Sequence, residues 1–215
     1  MASAEATITS FHEAARRAGA VSAASLLSAV NATAEPSVAW VPPGRFVECV
    51  CAGPSVGGQS LVEALLAENR QRGCFAALVD ACDGFDPGTL RPGLEAGLLW
   101  VRCKAASQAL KSLDLLLRDT NFSLVIADLR AVDDVLRTTP SAQWYRLQRL
   151  AHQRPGRFVA LCDAHLGPAV DIRVELATSR GITALEQPRS GLLVALKSHV
   201  AMQHEPTARA LSSAG

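Results

Sequence analysis

The stretch 53–60, "GPSVGGQS", decides how the rest of the chain is read. A phosphate-cradling loop follows the pattern G-x-x-x-x-G-K-[ST]. Its glycines let the backbone approach the phosphates, its lysine supplies charge, and its hydroxyl helps hold Mg²⁺. Gly53, Gly58 and Ser60 fit that pattern, and Gln59 stands where the lysine belongs. The octet sits between an apolar run, Phe46–Cys51, and a helical pattern with Leu61, Leu65 and Leu66 on one face. Strand, glycine loop and helix in that order aim backbone N–H groups and a helix N-terminus at an anion. A second element lies in "SLVIADL", where Asp128 ends an apolar strand as a Mg²⁺-holding aspartate does. The competing account is a plain glycine turn and a strand-capping aspartate in another α/β fold.

Outward from the octet, short apolar strands alternate with helical patterns. Strands are expected at Phe46–Cys51, Cys74–Val79, Leu98–Cys103, Ser123–Ala127, Arg157–Cys162, Val170–Ala177 and Leu192–His199. Helices are expected over Ser60–Arg72, closed by Gly73, over Ser107–Arg118, and from Ser141 as cap to about Gln153. Apolar strands separated by helices imply an α/β domain whose mainly parallel sheet is covered on both faces. The last two strands have no helix between them, which predicts a C-terminal antiparallel hairpin. The chain therefore divides into an N-terminal helical segment and connector (1–36), a core domain (37–202) and a flexible tail (203–215).

The 215 residues are 49% hydrophobic and 19% charged, an ordinary globular balance. A net charge of +1 gives no global field for nucleic acid, so any such contact needs a local patch. Five arginines (Arg137, Arg146, Arg149, Arg154 and Arg157) and His152 fall in a stretch without any acidic residue. There Trp144, Leu147 and Ala151 share one helix face, with Arg146 and Arg149 on another. This reads as a patch for DNA phosphates or an acidic partner, and equally as a solvated face, with Trp144 in the core. The six cysteines form no C-x-x-C pair and mostly lie in apolar runs, so buried free thiols of a reducing cytoplasm are expected, with no metal site. No apolar run reaches the roughly 18 residues of a membrane span. Arg16-Arg17 before an Ala/Ser-rich stretch superficially resembles an export signal. An amphipathic helix with Phe11, Ala15, Ala18, Val21 and Leu26 accounts for it as well, and a cytoplasmic location is expected.

"GRFVECVCAGPSVGGQSLVEALLAENRQRGCFAALVDACDGFDPGTL" resembles the start of the RecA recombinase core, through Gly44-Arg45, Gly53-Pro54, Val79-Asp80-Ala81 and Asp86-Pro87. "LLWVRCKAASQALKSLDLLLRDTNFSLVIADL" resembles the RecA segment that runs through Gln108-Ala109-Leu110 to the Mg²⁺-binding aspartate. The similarity covers roughly residues 40–200. The proportions are also similar to ImuA, a RecA-related accessory family of bacterial mutagenic repair, and more distantly to the SulA division inhibitors. The resemblance implies a RecA-like P-loop NTPase core with Gly53, Gly58, Gln59, Ser60 and Asp128 around a nucleotide.

The departures bear on activity. Gln59 replaces the loop lysine, and Cys82 stands where RecA has the glutamate that positions the attacking water. Asp163, in "FVALCDAHLG", aligns with RecA's nucleotide-sensing glutamine, and the DNA-binding loops after Asp128 and Asp163 are short. In "LLVALKSHVAM", Lys197 keeps the first of two lysines that cross the RecA filament interface, and His199 replaces the second. Losing a charged phosphate donor forfeits about 1.5–3 kcal/mol. Losing a general base slows the reaction about a hundred- to ten-thousandfold. The resemblance with these losses implies a pseudo-ATPase that needs no cofactor, although the surviving residues leave room for weak ATP and Mg²⁺ binding. Its expected role is accessory or scaffold in DNA repair, recombination or SOS-type mutagenesis. Expected partners are a recombinase or translesion polymerase, single-stranded DNA, or another copy of itself. A nucleotide-binding paralogue with weak DNA-dependent ATPase, and a SulA-like division inhibitor, are the alternatives.

Overall fold

The computed structural model describes residues 40–130, 139–176, 179–186 and 200–203, together with Val38 and Val132. The segment 1–36, Arg137, Lys197, His199, the strand expected at 192–199 and the tail beyond Gln203 lie outside the described residues. The elements are β1 (Phe46–Cys51), α1 (Gly58–Gln71), β2 (Phe75–Asp80), β3 (Leu98–Arg102), α2 (Ala106–Arg118), β4 (Phe122–Asp128), α3 (Ser141–His152), β5 (Arg157–Cys162), β6 (Ile172–Leu176) and β7 (Val200–Gln203). They form a seven-stranded sheet in the order β3-β2-β4-β5-β1-β6-β7. Strands β1 to β6 are mutually parallel. An α/β architecture with a mainly parallel sheet flanked by helices is thus observed. At the edge, β7 runs antiparallel to β6, and it begins at Val200, beyond the strand expected at 192–199.

Both faces of the sheet are buried, which is why the central strands read as continuous apolar runs. On one face Leu61, Leu65 and Leu66 of α1 pack with Val47, Cys49, Leu78 and Ile126. On the other, Leu113 and Leu117 of α2 and Trp144 and Leu147 of α3 pack with Phe46, Val79, Val125 and Phe158. Each such side chain contributes about 1.5–3 kcal/mol by leaving water. Trp144 is buried near Phe46, whose ring stacks on Phe158 with centroids 4.5 Å apart.

Helix ends follow local chemistry. Gly73 takes the left-handed conformation (φ 69°) just past α1. Its N–H bonds the Arg70 carbonyl at 2.9 Å, and the Cys74 N–H bonds that of Asn69 at 3.3 Å, closing a Schellman turn. Ser141, expected as a cap, is instead the first residue of α3. Pro140 holds the cap position, with φ −60° and ψ 142°, and no side chain caps the helix. The proline's fixed φ with an extended ψ supplies the non-helical residue a cap requires, and its carbonyl accepts from the Gln143 N–H at 2.9 Å.

Candidate functional site

Parallel strands end on one edge, so Cys51 of β1, Asp128 of β4, Asp80 of β2 and the Cys162-Asp163 step after β5 gather there. Strand β5 lies between β1 and β4. The chain leaves β1 toward the α1 face, whereas the helix that follows β4 packs on the opposite face. In open α/β sheets the crevice at such a reversal is where ligands bind. Residues 52–57 form the loop at this place. Gly57, in the left-handed region (φ 99°), is the cap residue of α1 and offers no capping side chain. The first-turn N–H groups behind it therefore have no acceptors within the helix. The outer side of the loop is fastened: the Ser179 hydroxyl donates to the Pro54 carbonyl at 2.9 Å, and the Arg180 N–H to the Ser55 carbonyl at 3.1 Å.

Arg130 dominates this site, and the sequence reading passed over it. Its Nε lies 2.8 Å from Asp128 Oδ1 and its second terminal nitrogen 2.5 Å from Oδ2, a bidentate pair. The hydrogen bond to Asp128 holds the guanidinium pKa above its ordinary value. The same guanidinium reaches into the loop: a methyl group on Gly58 would lie 2.4 Å from Arg130 Nη1 and 3.2 Å from Cys51 Sγ. Asp128 is 1% exposed, so its carboxylate is matched by a cation on the spot. The i, i+2 spacing across a strand end was the available signal, because it sets both side chains on one side.

The remaining site residues are placed as follows. Gln59 turns its amide toward the Thr89 hydroxyl, 3.4 Å away in the β2–β3 connection. Ser60 is half-buried in the first turn of α1. Asp163 is exposed just past β5. The Cys82 thiol bonds Asp80 at 3.5 Å, and its pKa is pushed up to about 12, by burial first and then by the Asp128 and Asp80 carboxylates. At neutral pH it is a thiol that cannot accept a proton as a carboxylate would. As arranged, these residues do not fit a Mg²⁺–nucleotide: both oxygens of Asp128 serve Arg130, and the space over Gly58 is filled.

Among the described residues, the arginine stretch does not form one patch. Arg154 is 5% exposed; its guanidinium bonds the Leu116 carbonyl at 3.2 Å and lies against Gly156, and burial lowers its pKa. Arg157 points to the α1 side, where it pairs with Glu68 at 2.7 Å. Neither belongs to a surface for DNA, because the fold spends each on an internal partner. Arg146 is exposed but forms a bidentate pair with Asp114 of α2, at 2.6 and 3.1 Å, and this arginine holds the aspartate's pKa down. His152 pairs with Asp171 at 2.8 Å. Arg149 is exposed.

All six cysteines are free thiols; Cys49, Cys51, Cys103 and Cys162 are buried, and Cys74 and Cys82 are half-buried. Among the described residues no group of three or more His, Cys, Asp or Glu is placed to hold a metal ion, and no helix is long and apolar enough to cross a membrane. Comparison with protein-family models and with curated proteins gives no match to this chain.

Proposed function

We propose that the chain is a catalytically degenerate RecA-like protein, acting as an accessory or scaffold in DNA repair, recombination or damage-induced mutagenesis. The observation that carries this reading is the Arg130–Asp128 pair set in the glycine-rich loop. A phosphoryl-transfer site needs a metal-holding carboxylate, a cation at the phosphates and a group that orients the nucleophile. Here Asp128 is committed to an arginine, Gln59 faces Thr89, and Cys82 is a neutral thiol. The loop and Asp128 nonetheless meet at one sheet edge, as the RecA resemblance implies, so the reading is of a P-loop whose chemistry has lapsed. The role then rests on protein contact, with a recombinase or translesion polymerase as partner.

The test is ATP hydrolysis by the purified protein, with and without single-stranded DNA, followed by mixing with the recombinase of the same organism. No turnover above background is expected, together with a change in the recombinase's filament assembly. DNA-stimulated turnover of about one per second or more sinks the reading.

A further inference from the structure

We propose that Arg130 is a built-in occupant of the glycine-rich loop, and that it bars metal–nucleotide from Asp128 independently of the missing lysine. The inference rests on the reading of the loop as P-loop-derived, and deepens it. The lapse of the site is then more than a loss at position 59: a side chain of this chain has taken over the space and the charge. Two contacts made by one guanidinium carry the argument. Through Nε and one terminal nitrogen Arg130 saturates Asp128, a carboxylate shut off from water. Through Nη1 it stands over Gly58, so that a side chain there would meet the guanidinium at 2.4 Å and could be seated only by moving it off its present place.

A Mg²⁺ ion at Asp128 would have to displace the first contact, and any group entering the space over Gly58 would have to displace the second. Both events require Arg130 to swing outward, which leaves the buried carboxylate unmatched until the metal arrives. Breaking a buried pair from one side is costly, so the closed arrangement is favoured. Its side chain is 23% exposed, so the guanidinium is partly open to solvent while the carboxylate it covers is not.

The experiment combines a nucleotide-free and a nucleotide-dependent arm. In the first, Gly58→Ala, Arg130→Ala and the double variant are compared by urea unfolding. If Arg130 fills the loop, alanine at position 58 destabilises the parent and costs clearly less once Arg130 is gone, the remainder coming from Cys51 Sγ, 3.2 Å from the added methyl. Additive effects overturn the proposal. In the second arm, binding of a fluorescent ATP analogue with Mg²⁺ is measured for Gln59→Lys and for Gln59→Lys/Arg130→Ala. The double variant should bind at least about tenfold more tightly, in a Mg²⁺-dependent way. Equal, measurable binding by both overturns the occupant role while leaving the P-loop reading in place. No binding by either, with the first arm coupled, overturns the barring of nucleotide and the P-loop reading together. Where Arg130→Ala unfolds the chain, Arg130→Gln serves, since it donates to Asp128 without carrying charge.

Discussion

Asp80 and Asp128 look alike in the sequence, each ending an apolar strand, yet the structure gives them opposite employment. Asp128 answers an arginine, whereas Asp80 answers the backbone. Its Oδ1 accepts from the N–H groups of Cys82 and Gly84, each at 3.2 Å. Its Oδ2 accepts from Phe85 N–H at 3.1 Å and from the Trp100 indole at 3.2 Å. Burial alone would raise this carboxyl's pKa; the donors of Phe85, Gly84 and Trp100 outweigh it, so the folded value lies below the ordinary one. The stabilisation from the ionised form is therefore present above the unfolded pKa of about 3.9 and is lost as pH falls through the lower folded value. Asp80→Asn should destabilise the protein at neutral pH by about 1–3 kcal/mol for each donor left unpaired. Urea unfolding across pH should show the gap between parent and variant narrowing below about pH 4. A gap that stays constant into acid would mean that the charge on Asp80 does no work. Which aspartate was which could not be read from the strands, because the deciding donors come from a turn and from β3.

At the scale of elements most of the fold was legible, since continuous apolar runs and leucine spacing report two-sided burial directly. β1 and β5 fall at the expected residues, and the other helices and strands up to β6 begin or end within two residues of expectation. What the pattern missed is where backbone geometry outranks side-chain preference. At α3 a proline displaced the serine from the cap position, and α1 starts on Gly58, ahead of Ser60. Gly73, by contrast, is legible because the left-handed conformation it takes is one that glycine adopts at little cost. Gly73→Ala should therefore cost about 1–2 kcal/mol, from forcing a Cβ into the left-handed region. An ideal Cβ at Gly73 meets nothing within 4 Å, so the loss comes from the backbone alone. Gly73→Asn, which tolerates that conformation, should recover part of it in the same thermal unfolding series. Equal losses for alanine and asparagine would point to another cause.

For the whole molecule the question is where a nearly neutral chain could meet nucleic acid, and there linear charge counting failed for a physical reason. The arginines at 146, 154 and 157 are near neighbours in sequence, but the fold sends them to α2, to a buried carbonyl and to α1. A charge run carries no information about acids brought in from other elements. Of the described arginines in that run, Arg149 and, in competition with Asp114, Arg146 face solvent. Each phosphate neutralised on a single strand contributes about −0.7 to the slope of log affinity against log salt, so α3 supplies at most about −1.4. If the protein binds single-stranded DNA through α3, Arg149→Ala reduces the salt slope by about 0.7 and leaves the melting temperature unchanged. Asp114→Asn should raise affinity by releasing Arg146, again without unfolding the chain. Arg157→Ala should behave the other way, lowering the melting temperature through the loss of its Glu68 pair while the salt slope stays put. A slope that falls equally for Arg149→Ala and Arg157→Ala would show that the stretch acts as one surface, and would overturn the division of its arginines between interior and solvent.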